Sequence, residues 1–256
     1  MRIRTSLRFE RNVSLPIDHG FLLTSAIYAF LHSSDENYAR FLHDEGYAAG
    51  EDTNDKRRFK LFCFSGIRSS RRRISVGHLT LTGGEAEWFV CSPLEKFLSE
   101  FASGLLLAGV LRVGRETLNI AHVETLAAPR FVTPMKFTCI TPIVAGVAAI
   151  YNGKSATKYL RPGDEEFSER LRANLLRKYA ALHGKAPDDD SFRLTWDENY
   201  LKKNRGVKVV DYKGIRIAGA FCPFEISGSC ELIELAYNAG LGEKNAGGFG
   251  MIEVKK

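Results

Sequence analysis

Two stretches of this sequence carry residues whose types and spacing suit chemistry. Near the C-terminus, Gly240-Leu241-Gly242-Glu243-Lys244-Asn245-Ala246-Gly247-Gly248-Phe249-Gly250 sets five glycines in eleven residues between an apolar helical pattern and a short final strand. Glycine tolerates positive φ and close backbone approach, so such a loop can offer N–H groups to a phosphate while Lys244 adds charge. A dinucleotide fingerprint would follow a strand and open a helix, and a Walker loop would need Gly-Lys-Ser or Gly-Lys-Thr; neither is present. The plain structural reading is a tight connection that packs the last strand against a helix. Near the N-terminus, Tyr28 and His32 stand four apart in a helical pattern and so share a face, a phenol beside an imidazole. Spacing alone favours His32 among the six histidines.

The chain that must position these groups has 256 residues, 45% hydrophobic and 26% charged, enough for two small domains or one large one. A net charge of +6 favours a polyanionic partner, although an ordinary basic enzyme also fits. Five cysteines, an odd number without a C-x-x-C pair, argue against a disulfide framework and a zinc module, leaving reduced and mostly buried thiols. Asp188-Asp189-Asp190 sits beside Pro187 in a turn and reads as a solvated loop, so neither a metal nor another cofactor is expected. No stretch approaches the roughly 18 apolar residues of a membrane span, and Met1 leads into a charged run, so a cytoplasmic location is expected.

Arg2 to Phe9 alternates strictly, which predicts a half-buried strand with Arg2, Arg4 and Arg8 on a basic outer face. A helix is expected from Pro16 to Leu31, a short one over Tyr38 to His43, and a loop over Gly50 to Arg58. Strands follow at Phe59 to Phe64, Ile74 to Thr82 and Glu87 to Cys91, then a helix opened by Pro93 and ending near Gly109, then a strand over Thr117 to Leu126. The second half repeats this order. Strands at Phe137 to Ala148, Phe192 to Trp196, Val207 to Phe224 and Gly248 to Val254 accompany helices at Asp164 to Leu182 and Cys230 to Ala239. Two successive β-α-β-β-α-β patterns predict an α+β chain of two tandem ferredoxin-like domains, 1–128 and 129–256, joined near Pro129 to Pro134.

The glycine-rich segment has the form glycine, hydrophobic, glycine, five residues, glycine, hydrophobic, glycine, met by Gly240, Leu241, Gly242, Gly248, Phe249 and Gly250. In this it resembles the C-terminal signature of the CRISPR-associated endoribonucleases that process repeat transcripts, the Cas six family. Further similar segments run in order along the chain: Asp18-His19, Ile27-Tyr28, Phe41-Leu42-His43-Asp44-Glu45-Gly46, Phe59-Lys60-Leu61-Phe62, and Phe137-Thr138-Cys139-Ile140-Thr141-Pro142-Ile143. The resemblance implies tandem ferredoxin-like domains that grip CRISPR repeat RNA. It also implies cleavage without a metal, in which a ribose 2′-OH attacks the adjacent phosphate to leave a 2′,3′-cyclic phosphate and a 5′-OH.

By motif, the family's catalytic histidine corresponds to His43, its tyrosine to Tyr28 and its lysine to Lys60, with Lys56 the alternative because the loop from Tyr47 to Arg58 is lengthened. Internal attack needs a base for the 2′-OH, an acid for the leaving oxygen, and positive charge at the phosphate. His43 is therefore the expected base, Tyr28 the group that orients or protonates, and Lys60 the cation. His19 fits a structural or an RNA-contacting role. RNA-binding residues are expected at Gly240, Gly242, Lys244, Gly248 and Gly250 and in the basic run Lys202, Lys203, Arg205 and Lys208; a second basic cluster is Arg68, Arg71, Arg72 and Arg73. The aromatic signature by which RNA recognition motifs stack bases is missing from the central strands. Expected partners are repeat RNA and other subunits of an interference complex, with the protein a monomer or homodimer. The rival reading is a repeat-RNA binding subunit that does not cut.

Overall fold

The computed structural model describes residues 1–49, 57–151 and 153–255. The N-terminal strand alternates as its sequence does, with Ile3, Thr5 and Leu7 buried. It forms the centre of a five-stranded antiparallel sheet in the order Cys63–Phe64, Glu85–Cys91, Arg2–Arg8, Glu116–Leu126, Val110–Val113. Helices α1 (Gly20–Ser34) and α3 (Glu95–Ala108) pack together, and their apolar faces belong to the core that this sheet closes. Their crossing is close: a Cβ on Gly104 of α3 would lie 2.1 Å from the Phe30 carbonyl oxygen, so only glycine fits there. Phe62, Phe97, Phe101, Trp88 and Phe30 fill the space between in stacked and edge-on contacts.

The second sheet runs Phe192–Trp196, Phe224–Gly228, Met135–Cys139, Ile252–Val254, with α4 (Phe167–His183) and α6 (Cys230–Ala239) contributing the core. Leaving aside the edge strand Val110–Val113, both sheets place their strands in the spatial order second, third, first, fourth, the ferredoxin-like arrangement read from the sequence. Outside these two sheets, helix α2 (Glu36–Asp44) adds Tyr38, Ala39 and Leu42 to the first core and the hairpin Arg72–Ser75/His78–Leu81 adds Leu79 and Leu81, while the short α5 (Glu198–Leu201) and the hairpins Gly146–Tyr151/Lys154–Tyr159 and Val207–Tyr212/Ile215–Ala220 flank the second half. Among the described residues no helix is long and apolar enough to cross a membrane, and all five cysteines are free thiols, four of them buried.

Several expected strands are interrupted. Phe59 to Phe64 is not one strand. It breaks around Leu61, which takes φ 53°, because Leu61 turns into the second core while Phe62 enters the first. The expected strand over Ile74 to Thr82 is a hairpin turned at Gly77 (φ 72°). Phe137 to Ala148 divides into two strands that belong to different sheets, and the last strand shrinks to Ile252–Val254 because Gly248 and Gly250 adopt positive φ. The basic outer face expected for the first strand is also modified. Arg2 is buried, donates from Nη2 to the Ile252 carbonyl at 2.8 Å and lies 4.0 Å from the centre of the Tyr237 ring, tying the two sheets together; Arg4 is spent on Glu87 and Glu124.

Candidate active site

A cleft of about 990 Å³ opens between α1, α2, α4, the Val207–Tyr212/Ile215–Ala220 hairpin and the glycine-rich loop. Tyr28, His43 and Lys60 all line it. Tyr28 comes from α1, whose buried face (Leu23, Ala26, Ile27, Phe30, Leu31) fixes the rotation that sends Tyr28 out towards the cleft. His43 stands in the last turn of α2, a helix capped by the Asp35 carboxylate, which accepts from the Tyr38 backbone N–H at 2.9 Å. The rings of Tyr28 and His43 meet edge to face, centroids 5.2 Å apart at 81°. Burial pushes the Tyr28 phenol up to about 12, with Tyr212 and Asp44 adding to the effect, so at neutral pH it is a hydrogen-bond donor and not a phenolate.

His43 Nδ1 lies 2.7 Å from Asp44 Oδ1, and both side chains are exposed. With Nδ1–H donating to the carboxylate, Nε2 keeps its lone pair for a proton. Lys60 follows from the break at Leu61: its ammonium donates to the carbonyls of Leu42 and His43, the latter at 2.6 Å, at the C-terminal end of α2, where the helix dipole favours a cation. Partial burial lowers the Lys60 pKa, and Asp44 opposes that shift. Two of its three N–H groups are thus used among the described residues, and the third can meet an anion. Lys56, the alternative cation, lies outside the described residues.

His32, the histidine that spacing favoured, does not line the cleft. It is exposed and sits 3.7 Å from Glu36. His19 is buried, with Nδ1 donating to the Pro16 carbonyl at 2.9 Å and Nε2 accepting the Ile67 backbone N–H at 3.0 Å. Both nitrogens are used in neutral form and burial lowers its pKa, which makes its role structural.

The glycines of the C-terminal loop meet demands of the backbone first. Gly240, Gly242, Gly248 and Gly250 all have positive φ, and a Cβ on Gly250 would lie 2.0 Å from the Leu241 carbonyl oxygen. Gly240, Gly242 and Gly250 are buried, and the part that faces the cleft runs from Gly242 to Gly247, with Lys244 exposed. The backbone N–H groups of Leu241, Glu243, Gly247, Gly248 and Gly250 donate to protein carbonyls, so the signature glycines shape the loop and five of its eleven amides are already engaged.

What holds the loop was missed in the sequence. Lys178 of α4, buried at 3% exposure, donates to the Gly240 carbonyl at 2.7 Å, the Gly242 carbonyl at 2.8 Å and Asn245 Oδ1 at 2.6 Å. Asn245 in turn donates from Nδ2 to the carbonyls of Leu241 and Phe249. From the other side, Thr24 of α1 donates to the Ala246 carbonyl at 3.0 Å and touches the Tyr212 hydroxyl at 3.4 Å. A lysine in an amphipathic helix carries no sequence signal of this task; its place on the buried stripe with Leu171 and Leu175 was the available clue.

The basic run Lys202, Lys203, Arg205 and Lys208 is exposed beside the hairpin that supplies Tyr212, Ile215 and Ile217 to the cleft, and none of the four lines it. Besides Lys60 and Lys178, the cations that do line it are Arg58, Arg170, Lys244 and, with partners of their own, Arg57 and Arg177. Arg68 and Arg72 line a separate depression of about 660 Å³ on the outer face of the first sheet. Among the described residues no group of three or more His, Cys, Asp or Glu converges as metal ligands would.

The family model for CRISPR associated protein Cas6, C-terminal, matches residues 126–254, and that for CRISPR-associated protein Cas6, N-terminal, matches residues 14–124. A CRISPR-associated endoribonuclease Cas6 of Methanocaldococcus jannaschii is 29% identical over 255 residues, covering 98% of this chain and 92% of the relative. The Pyrococcus furiosus CRISPR-associated endoribonuclease Cas6 is 26% identical, covering 96% and 86%. A solved CRISPR associated protein Cas6 superposes over 100% of this chain and 99% of its own, with a TM-score of 0.80 at 28% identity. Both halves of the chain, the loop that ends it and the cleft between them thus fall within matched sequence, and the chain belongs to the Cas6 family.

Proposed function

We propose that this protein is the endoribonuclease its relatives are named for, cutting CRISPR repeat RNA at the cleft without a metal ion. The observation that carries the reading is the meeting of Tyr28, His43 and Lys60, from three separate segments, on one cleft closed by the glycine-rich loop. His43 Nε2 takes the proton of the 2′-OH beside the scissile bond, Asp44 fixing its tautomer. As the 2′ oxygen bonds to phosphorus, the P–O5′ bond breaks. Tyr28, kept protonated by burial, donates towards a phosphate oxygen or the leaving O5′, and Lys60 offsets the charge that builds on the phosphorane. The products are a 2′,3′-cyclic phosphate and a 5′-OH.

On this reading residues 1–128 form the domain that supplies the three catalytic groups and residues 129–256 the domain that supplies α4 and the loop. Lys244 and the exposed basic run Lys202, Lys203, Arg205 and Lys208 draw the RNA backbone along the hairpin beside the cleft. The protein works in the cytoplasm, and its product serves an interference complex.

The test is incubation with a labelled repeat RNA in EDTA, alongside a copy with a 2′-deoxy sugar at the mapped cut. Single-site cleavage abolished by the deoxy sugar, and by His43→Ala with binding kept within a few-fold, is the expected result. Unchanged cleavage by His43→Ala would remove His43 from the mechanism, and tight binding without any cleavage would make the protein a repeat-RNA binding subunit.

A further inference from the structure

Among the described residues, three buried side-chain polar atoms have no hydrogen-bond partner: Arg2 Nε, Thr5 Oγ1 and Asn174 Oδ1. Of the three residues Asn174 alone lines the cleft. It stands in α4 at 7% exposure, four residues after Arg170 and four before Lys178, and so occupies the stripe of that helix that faces the glycine-rich loop. A buried amide oxygen without a partner is costly, and leucine would fill the same volume without that cost. Cations that line the same cleft include Arg170, one turn before it and with its partner Glu166 at 3.7 Å, and exposed Lys244.

We infer that Asn174 is a specificity-determining residue: its amide oxygen accepts a hydrogen bond from a nucleotide bound in the cleft while Arg170 and Lys244 hold that nucleotide's phosphates. The inference rests on the reading of the cleft as the RNA-cutting site. Phosphate oxygens are acceptors and cannot satisfy Oδ1, so the donor belongs to a ribose 2′-OH or to a base N–H. Arg170 and Lys244 act on every sequence alike; Asn174 reads one position. A strand that lacks the donor leaves the acceptor buried and unpaired, which is the source of discrimination.

The experiment is single-turnover cleavage of a repeat RNA by the wild type and by Asn174→Leu in the full chain. The variant is expected to lose about tenfold in kcat/KM, the worth of one neutral hydrogen bond, without a lower melting temperature, because it removes an unpaired acceptor and keeps the volume. A panel of RNAs then carries one change each: a 2′-deoxy sugar anywhere except at the attacking hydroxyl, or a base lacking one N–H donor. One member is expected to slow the wild type about tenfold and the variant no further; whether it is a sugar or a base change names the donor. Wild-type cleavage by Asn174→Leu, a parallel loss of stability and activity, or panel effects equal in both proteins would overturn the inference. If the wild type binds the RNA without cutting it, the cutting function fails, and the same cycle read in Kd still decides the role of Asn174.

Discussion

Replacing Lys178 by methionine tests whether the glycine-rich loop is held from α4. The side chain's length is kept, but the three bonds to Gly240, Gly242 and Asn245 are lost and three acceptors are left facing an apolar methyl group. Hydrogen bonds from a charged donor contribute about 1.5–3 kcal/mol each, so the gross loss is of order 4–9 kcal/mol. Against it stands the relief of no longer burying a cation. Burial pushes the Lys178 pKa from 10.5 to about 7, with Cys63 and Glu243 opposing; a shift of that size corresponds to about 4–5 kcal/mol between the two protonation states. The two terms offset each other at the lower bound and leave a net loss of up to about 5 kcal/mol at pH 7, which lowers the melting temperature by up to roughly 10–20 °C for a chain of this size.

The pH dependence has a definite sign. The folded pKa lies below the unfolded one, so between pH 7 and 10.5 the unfolded chain binds more protons and stability rises with pH. The wild type should accordingly gain on Lys178→Met by about 1.4 kcal/mol per pH unit across that window and not below it. Urea denaturation of both proteins at pH 7, 8 and 9, with repeat-RNA cleavage measured in parallel, reads both effects. Equal stability, equal cleavage and parallel pH profiles would refute the claim that Lys178 anchors the loop.

Two further outcomes follow from local geometry. Gly250→Ala drives a Cβ to within 2.0 Å of the Leu241 carbonyl at φ 74°, whereas Gly77→Ala meets nothing within 4 Å at φ 72°. The second substitution should cost about 1 kcal/mol of backbone strain and the first several times that, a contrast that thermal melts of the two variants would show. His19, neutral and buried between Pro16 and Ile67, has a folded pKa below its ordinary 6.5, so the unfolded chain takes up the proton first as pH falls. Stability should therefore fall below about pH 6.5 with a slope of up to about 1.4 kcal/mol per unit, and His19→Gln should flatten that part of a denaturation series.

The sequence by itself determined the two β-α-β-β-α-β units, because strand and helix periodicities are local properties of the chain. Phe192–Trp196 and Cys230–Ala239 coincide with the expected bounds residue for residue. The spacing of Gly240, Gly242, Gly248 and Gly250 was legible for the same reason: positive φ and absent side-chain volume are demands that only glycine meets, so they leave a mark in the residue types. Only the tertiary structure decided which groups meet. Tyr28 and His32 share a helix face by spacing, yet α2 brings His43 to Tyr28 and leaves His32 beside Glu36, since contact depends on how helices pack and not on their own periodicity. The chain bends at Leu61 because Leu61 and Phe62 belong to different cores, a conflict no single-strand pattern records. Lys178 and Asn174 look like polar residues of a surface helix in the sequence. Both are buried, and the partners that satisfy Lys178 lie more than 60 residues away in the loop at the far end of the chain, while Asn174 Oδ1 finds none among the described residues.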